Sequence, residues 1–244
     1  DKGQIREYKY GPIYSHIIGY SSREYGKSGI ESIYNKELLD LNDLNPIGEL
    51  KNILTDGESL GNNVVLSVEH DIQKYAYELL GNRKGAIVLM SPKTGEIYAM
   101  VSSPSFNPSN LKENWEDIVS NEDSPLLNRA TMGLYTPGSI FKLITATAAI
   151  ENRETDGTYN CKGSIKLDGY VLRDYGGIAH GEVDLNDAFS KSCNTAFSQI
   201  GLEIGDDKLR KVAERYMFNN NIPFDLRTAK SVFPEKIISK PEIG

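Results

Sequence analysis

The clearest regular pattern in the sequence is a pair of short apolar runs separated by a polar turn. Residues 85–90 are almost entirely apolar, and residues 91–95, Ser-Pro-Lys-Thr-Gly, follow them with a proline and a glycine. Residues 96–101 then return to apolar side chains. Two such runs joined by a short segment with Pro and Gly are typical of antiparallel strands. We therefore predict a β-hairpin over residues 85–101.

Several longer segments have the spacing of helices. Apolar or aromatic side chains at 72, 75, 76, 79 and 80 form one helical stripe, which Gly81 would end. Residues 139–151 are apolar or alanine at most positions, which predicts a helix buried on nearly every side. Residues 184–204 and 206–217 predict further helices. Together with the hairpin, these segments predict an α+β fold.

The character of the chain changes near residue 63. Residues 1–55 are rich in tyrosine, glycine and charge without a long periodic helix, and the polar stretch 55–63 has the composition of a linker. The β-branched run at 64–68 then predicts a strand. We expect a small N-terminal domain over residues 1–63 and a second domain over residues 64–244.

Composition excludes several kinds of protein. The 27 Lys and Arg residues against 34 Asp and Glu residues give a net charge of −7, which argues against binding of nucleic acid. No apolar run approaches the about 20 residues that span a bilayer. The two cysteines and three histidines lack the spacing of zinc ligands. We therefore expect no metal and no cofactor.

Lys142 lies within the apolar segment 139–151, in the sequence Ser-Ile-Phe-Lys. A buried lysine has a lowered pKa, so its amine can accept a proton. Ser139 precedes it by one helical turn, at the helix N-terminus, where backbone N–H groups favour developing negative charge. The spacing predicts a serine nucleophile with a lysine base. The alternative is a capping serine and a lysine that reaches the surface.

A second polar pair, Ser192 and Asn194, lies in the sequence Ser-Lys-Ser-Cys-Asn-Thr at residues 190–195. Its spacing is typical of a turn that leads into a helix. The two side chains could hydrogen-bond Lys142 and a substrate amide, or they could simply cap the helix.

Taken together, these residues resemble the class B penicillin-binding proteins, which carry Ser-x-x-Lys and Ser-x-Asn motifs in this order. Residues 135–142, Tyr-Thr-Pro-Gly-Ser-Ile-Phe-Lys, are similar to the first block of the family, and residues 180–197 are similar to the second. Residues 64–108 resemble the start of the transpeptidase domain. Residues 19–20 and 26–31 resemble the end of the N-terminal pedestal of this class. The resemblance covers almost the whole chain.

The resemblance implies part of the fold shared by penicillin-binding transpeptidases and serine β-lactamases, namely the helical lobe and the N-terminal hairpin of the sheet. It also implies D,D-transpeptidation, in which Ser139 attacks the D-Ala-D-Ala carbonyl of a peptidoglycan stem peptide and a second stem's amine resolves the acyl-enzyme. Lys142 would be the general base. Ser192 would assist proton transfer, and Asn194 would hold the substrate amide. β-Lactams would acylate Ser139.

The resemblance further implies a location and partners. We expect the full-length protein to be anchored at the extracytoplasmic face of the bacterial cytoplasmic membrane. Its partners would be peptidoglycan stem peptides and a glycosyltransferase of the cell-wall machinery.

Two departures from the family pattern matter. Cys193 stands between Ser192 and Asn194, where relatives more often have Ser or Asp, which would place a reactive thiol beside the cleft. The family's Lys-Thr-Gly motif follows the second block, whereas the single copy here, residues 93–95, precedes Ser139 and is interpreted as the hairpin turn. We therefore expect a chain truncated at both ends that is inactive or nearly so by itself.

Two other functions stay open. A β-lactam sensor or a non-catalytic binding domain would also keep Ser139 and Lys142, as would a hydrolase of β-lactams or D-Ala peptides. The pedestal-like residues 10–41 argue against a compact hydrolase. A Ser-His-Asp triad that uses His180 is disfavoured because Lys142 already supplies a base.

Overall fold

The structure of the chain is a computed structural model that describes residues 6–39, 61–152 and 157–235. The predicted linker at residues 55–63 lies largely outside the described residues. None of the described helices combines the length and the apolar character that crossing a membrane requires.

Contacts divide the chain into two compact units, each built from two segments. The first unit comprises residues 1–133 with 223–229, and the second comprises residues 134–222 with 230–244. Residues 223–229 belong to the first unit, although the second unit continues on both sides of them. Neither unit is therefore one continuous stretch of the chain. The division into domains at residue 63 stays a prediction.

The first unit begins with short elements and no long helix among residues 6–39. In chain order these are α1 (Ser15–Ile18), β1 (Ser21–Ser22), β2 (Gly26–Lys27), α2 (Gly29–Ile33) and α3 (Asn35–Leu38). Strands β1 and β2 pair antiparallel. Gly19 has φ +77, and a Cβ there would lie 2.1 Å from the Ser28 carbonyl oxygen. Glycine is therefore required where the chain leaves α1 and approaches the start of α2.

The predicted hairpin is confirmed, and α4 (His70–Leu80) precedes it. Strand β3 (Gly85–Met90) pairs antiparallel with β4 (Ile97–Ser103), and the turn between them contains the Lys-Thr-Gly sequence at residues 93–95. The predicted strand at 64–68 is wrong. That segment has no strand pairing, and Ser67 meets β4 only through hydrogen bonds between its hydroxyl and the backbone of Ile97.

The buried face of α4 differs from the predicted apolar stripe. Tyr75 and Leu79 are 67% and 52% exposed, whereas Gln73 is fully buried. The Gln73 side chain donates to the Met100 carbonyl at 3.0 Å and accepts from the Met100 N–H at 2.8 Å. These bonds turn a polar side chain inward. Gly81 ends the helix with φ +53, as predicted. The first unit also contains α5 (Trp115–Ser120) and α6 (Arg129–Met132).

The second unit is mainly helical and has a core rich in alanine. Its elements in chain order are α7 (Lys142–Glu151), β5 (Tyr159–Cys161), β6 (Ser164–Leu167), β7 (Tyr170–Arg173), β8 (Gly181–Val183), α8 (Leu185–Ser190), α9 (Asn194–Ile204) and α10 (Asp206–Arg215). Strand β5 pairs with β8 and β6 with β7, both antiparallel. Ala148, Ala196 and Ala213 are fully buried, so small side chains let α7, α9 and α10 pack closely.

The prediction that α7 is buried on nearly every side is wrong. Leu143 and Ile150 are exposed, and Ile140, in the turn before the helix, is 77% exposed. Only the face that carries Ala148 and Ala149 lies in the core. The apolar composition reflects one tightly packed face beside an open one, which periodicity could not separate because both faces carry apolar residues.

Candidate active site

Ser139 lies in a 3-10 turn, Gly138–Phe141, that leads directly into α7. Gly138 has φ +55, a left-handed conformation that glycine adopts at no steric cost. The turn leaves Ser139 exposed to solvent. The serine therefore stands at the N-terminal end of the helix, as the sequence predicts, with its hydroxyl accessible to a ligand.

Lys142 is the first residue of α7, and its amine is the meeting point of the predicted site. Its Nζ lies 3.4 Å from the Ser139 Oγ, 2.9 Å from the Ser192 Oγ and 2.6 Å from the Asn194 Oδ1. The Ser192 Oγ is also 3.1 Å from the Ser139 Oγ. All four residues singled out in the sequence thus converge within the second unit.

Ser192 and Asn194 are held in place by a tight turn between α8 and α9. Ser192 has φ +53, and Asn194 is the first residue of α9. Between them, the Cys193 Sγ accepts a hydrogen bond from the Ala196 N–H at 3.4 Å and caps the helix. This geometry brings the polar side chains on both sides of Cys193 to the amine of Lys142.

The environment of Lys142 makes the neutral amine easier to form than in an exposed lysine. Burial lowers its pKa from the usual value, against the opposing charge of Asp174 and the effect of Cys193. Among residues 6–39, 61–152 and 157–235, no carboxylate lies within ion-pairing distance of its Nζ. A lysine in this position holds a larger neutral fraction than an exposed one, and a neutral amine can take a proton from a serine hydroxyl.

Asp174 belongs to the site, although no motif in the sequence marks it as such. It is 3% exposed, and its Oδ1 accepts from the backbone N–H of Asn194 at 2.5 Å. Burial alone would raise its pKa. Hydrogen bonds from Thr195, Cys161 and Asn194 outweigh burial and hold the pKa below the usual value. The charged carboxylate therefore fixes the first turn of α9. Twenty positions separate Asp174 from Asn194, so no local pattern joins them.

Four side chains beside this turn could hold a metal ion. Each offers one ligand atom, and these atoms all lie within 4.8 Å of one another; the residues are Cys161, Asp174, His180 and Cys193. Two cysteine sulfurs, an imidazole and a carboxylate are donor types found in tetrahedral Zn²⁺ sites. The expectation of no metal rested on spacing along the chain, whereas these side chains come together from the end of β5, the segment before β8 and the cap of α9.

Cys193 is not the accessible thiol that the sequence suggested. Its side chain is fully buried in the core of the second unit, and burial raises its pKa. Thiol reactivity requires the thiolate and access to it. The expectation of a reactive thiol beside the cleft is therefore wrong, because the side chain turns inward to cap α9.

Two family models match the chain: the penicillin binding protein A dimerisation domain over residues 2–64 and the penicillin binding protein transpeptidase domain over residues 85–239. Peptidoglycan D,D-transpeptidase PbpA of Mycolicibacterium smegmatis is 32% identical over 93% of this chain and 50% of its own length. Peptidoglycan D,D-transpeptidase MrdA of Acinetobacter baumannii is 29% identical over 91% of this chain and 38% of its own length. The chain thus spans half or less of these relatives.

A solved structure gives the same result at the level of the fold. The penicillin G acyl-enzyme complex of penicillin-binding protein A from M. tuberculosis matches with a TM-score of 0.90 at 30% identity, over 100% of this chain and 61% of that one. The predicted α+β transpeptidase fold is therefore confirmed. Because the transpeptidase model matches residues 85–239 and a relative is 32% identical over 93% of the chain, the chain belongs to the penicillin-binding protein transpeptidase family.

Proposed function

We propose that this chain carries the nucleophile of a peptidoglycan D,D-transpeptidase, and that the nucleophile is Ser139. One observation carries the proposal. The Lys142 amine lies within hydrogen-bonding reach of the Ser139 hydroxyl, the Ser192 hydroxyl and the Asn194 amide. The transpeptidase names of the relatives, and the acyl-enzyme formed by a related protein with penicillin G, support the same chemistry.

In the first step, the neutral amine of Lys142 takes the proton of Ser139, directly or through the Ser192 hydroxyl that lies between them. The Ser139 oxygen then bonds to the carbonyl carbon of the penultimate D-Ala. The bond to the terminal D-Ala breaks, and Lys142 returns the proton to the departing amine through Ser192. A free carboxylate-bearing D-Ala and an ester on Ser139 are the products.

The second step reverses the roles of the same groups. An amine from a neighbouring stem attacks the ester carbonyl and gives its proton to Lys142, and the Ser139 oxygen regains a proton as it leaves. We assign the substrate amide to Asn194, whose side chain lies beside Lys142 at the start of α9 with Asp174 fixing its backbone. His180 contacts the Cys161 thiol at 3.4 Å and has no hydrogen bond to Ser139 within the described parts of the chain, which supports Lys142 as the base.

The setting of the full-length protein is also a proposal. We place it at the extracytoplasmic face of the bacterial cytoplasmic membrane, where stem peptides and β-lactams reach it, with a cell-wall glycosyltransferase as partner. Residues 1–63 would form the end of the pedestal, and residues 64–244 would form the first part of the transpeptidase domain.

The 244 residues by themselves should react slowly. Their single Lys-Thr-Gly, residues 93–95, is the turn between β3 and β4, and no copy follows Asn194. In the family, the strand that carries the later copy supplies part of the oxyanion site. Loss of one oxyanion donor lowers rates by about 10²–10³. We therefore expect acylation to be strongly enhanced in a longer chain that contains such a segment.

The test is intact mass after incubation with penicillin G. In whichever chain reacts, an adduct of one drug mass is expected on the wild-type protein and on Ser109→Ala, which alters the other Ser-x-x-Lys sequence, but not on Ser139→Ala. If the 244 residues are silent, the same three proteins are compared in the longer chain. An adduct that persists in Ser139→Ala there, or no adduct at all, would contradict the proposal.

A second measurement separates the alternatives. Transfer of the acyl group to an added amine acceptor, with slow loss to water, is expected of a transpeptidase. Rapid deacylation by water would indicate a hydrolase instead. A stable adduct that no amine resolves would indicate a sensor.

A further inference from the structure

A cavity in the first unit has the properties of a ligand-binding site, and none of the candidate active-site residues lines it. Its volume is about 480 Å³, within the range of small-molecule sites. It is open to solvent on one side, lies beside α1 and α2, and is bordered by residues 126–128, 131–132 and 226–227. All of these residues belong to the first unit, whereas Ser139, Lys142, Ser192 and Asn194 belong to the second.

The charge of the cavity is opposite to that of the whole protein. The chain carries a net charge of −7, yet among the described residues no aspartate or glutamate lines this cavity. Lys27 and Arg227 do line it. The Lys27 Nζ donates to the neutral side-chain amide of Asn35, and no described carboxylate pairs with either cation. Two positive charges therefore line the cavity with no ion-pair partner in residues 6–39, 61–152 and 157–235.

Two hydroxyl groups of the lining are also available. The hydroxyls of Ser32 and Thr131 line the cavity, and neither bonds another residue in the portion of the chain that is described. Tyr20 and Phe106 add a buried aromatic wall, 9% and 6% exposed. Free donors and cations next to an aromatic surface suit a ligand with an anionic group and an apolar body.

We propose that this cavity binds a small organic anion, a carboxylate or phosphate group attached to an apolar body, with Lys27 and Arg227 holding the anionic group. The donors that line the cavity suit both kinds of anion. A peptide's free carboxylate and a phosphate ester are therefore the two sources that an experiment should distinguish.

The protein contains a built-in probe for the test. Trp115 is the only tryptophan, and its ring meets the edge of Tyr20 with centroids 6.1 Å apart. Its fluorescence therefore reports on the wall of this cavity. We would titrate the chain with N-acetylphenylalanine, with its neutral amide and with phenyl phosphate, and follow the tryptophan signal. None of the three is a D-Ala-D-Ala peptide.

We expect saturable binding of at least one of the two anions, with the amide at least about tenfold weaker, since an ionised partner strengthens these hydrogen bonds. Lys27→Gln and Arg227→Gln should each weaken the anion by about tenfold, whereas Lys36→Gln, an exposed lysine outside the lining, should not. Both changed residues are exposed, so the variants should fold.

Equal affinity for acid and amide, or no saturable signal with either anion, would overturn the proposal. Tighter binding of phenyl phosphate than of the carboxylate would support it and assign phosphate as the source.

Discussion

At the scale of single residues, the chemistry of the site depends on the proton of Lys142. Oxygen atoms of Ser139, Ser192 and Asn194 surround its Nζ and would stabilise an ammonium, whereas burial acts against the charge. Because burial is the larger effect, the pKa of Lys142 lies below the usual value. The proposal that this amine is a base can therefore be separated from the simpler view that it only positions Ser139.

Lys142→Arg makes that separation, because a guanidinium keeps the positive charge but is not deprotonated in proteins. The variant should acylate at least about 100-fold more slowly. The rate of wild-type acylation should rise with pH as Lys142 loses its proton. The midpoint of this rise should lie below the pKa of a free lysine, about 10.4, and the variant should lack the rise. Both are measured as adduct mass against time across pH, in the longer chain if the 244 residues react too slowly.

Lys191→Arg is the matched control, since Lys191 is exposed and pairs with Asp187. It should leave both the rate and the pH profile unchanged. If Lys142→Arg also retained the wild-type rate and pH dependence, Lys142 would not be the base.

The residues that sequence could identify are those whose chemistry is encoded locally. Ser139 and Lys142 lie three positions apart, and Ser192 and Asn194 lie two apart, so each pair forms a recognisable motif. Asp174 bonds the backbone of Asn194 from twenty positions away, and only the fold brings it there. A long-range contact of this kind leaves no pattern in one sequence.

At the scale of secondary-structure elements, the hairpin was predictable and the face of α4 was not. The two strands of the hairpin are recognisable from their continuous apolar runs. The helical periodicity of α4 considers only apolar side chains, so it places Gln73 on the solvent-exposed face. In the structure its amide bonds both backbone groups of Met100 and also donates to the Ile13 carbonyl at 2.8 Å. A hydrophobic pattern cannot identify a side chain that is buried because of its hydrogen bonds.

Gln73→Leu tests this role of α4. The leucine would leave the backbone groups of Met100 buried without partners, which costs about 1–3 kcal/mol for each group. We expect the free energy of unfolding to fall by about 3 kcal/mol, measured by urea denaturation. Lys74→Leu, on the exposed side of the same helix, should change it by less than about 0.5 kcal/mol. Equal effects of the two substitutions would show that the amide contributes nothing to α4 packing.

The donor cluster around the cap of α9 makes a second prediction at this scale. Zn²⁺ should raise the melting temperature of the chain, because an ion that binds only the folded state stabilises it. Cys161→Ser and His180→Gln should each reduce the rise, since each removes a ligand atom. Mg²⁺ at the same concentration should have no effect, because it prefers oxygen ligands. A rise that is unchanged when both residues are replaced would place the ion elsewhere.

At the scale of the whole molecule, the sequence indicated an α+β protein with a transpeptidase-like organisation, but not how the chain is partitioned. Residues 223–229 pack with the first unit although the second unit continues on both sides of them. Nothing in the composition of that segment separates it from its neighbours. Which unit a surface segment joins is decided by complementary packing, such as that of Leu226 in the core with Ile17 and Ile30, rather than by any local preference.

The pH dependence of stability offers a test of packing in the first unit, through His16. Its Nε2 bonds the Pro125 carbonyl at 2.8 Å, and burial, with a smaller effect of Arg129, lowers its pKa from 6.5 to about 4. Between these values the unfolded chain binds a proton that the folded chain does not, so stability is lost as pH falls from 6.5 towards 4 and the loss levels off below that. The loss attributable to His16 should reach about 3 kcal/mol.

His16→Gln keeps a donor but cannot titrate, so the stability difference between wild type and variant, measured by denaturation at each pH, should change by this amount across the window. A difference that stays constant from pH 6.5 to 4 would mean that His16 is solvated in the folded protein. Carboxylates that titrate in the same range cancel in the comparison, because both proteins share them.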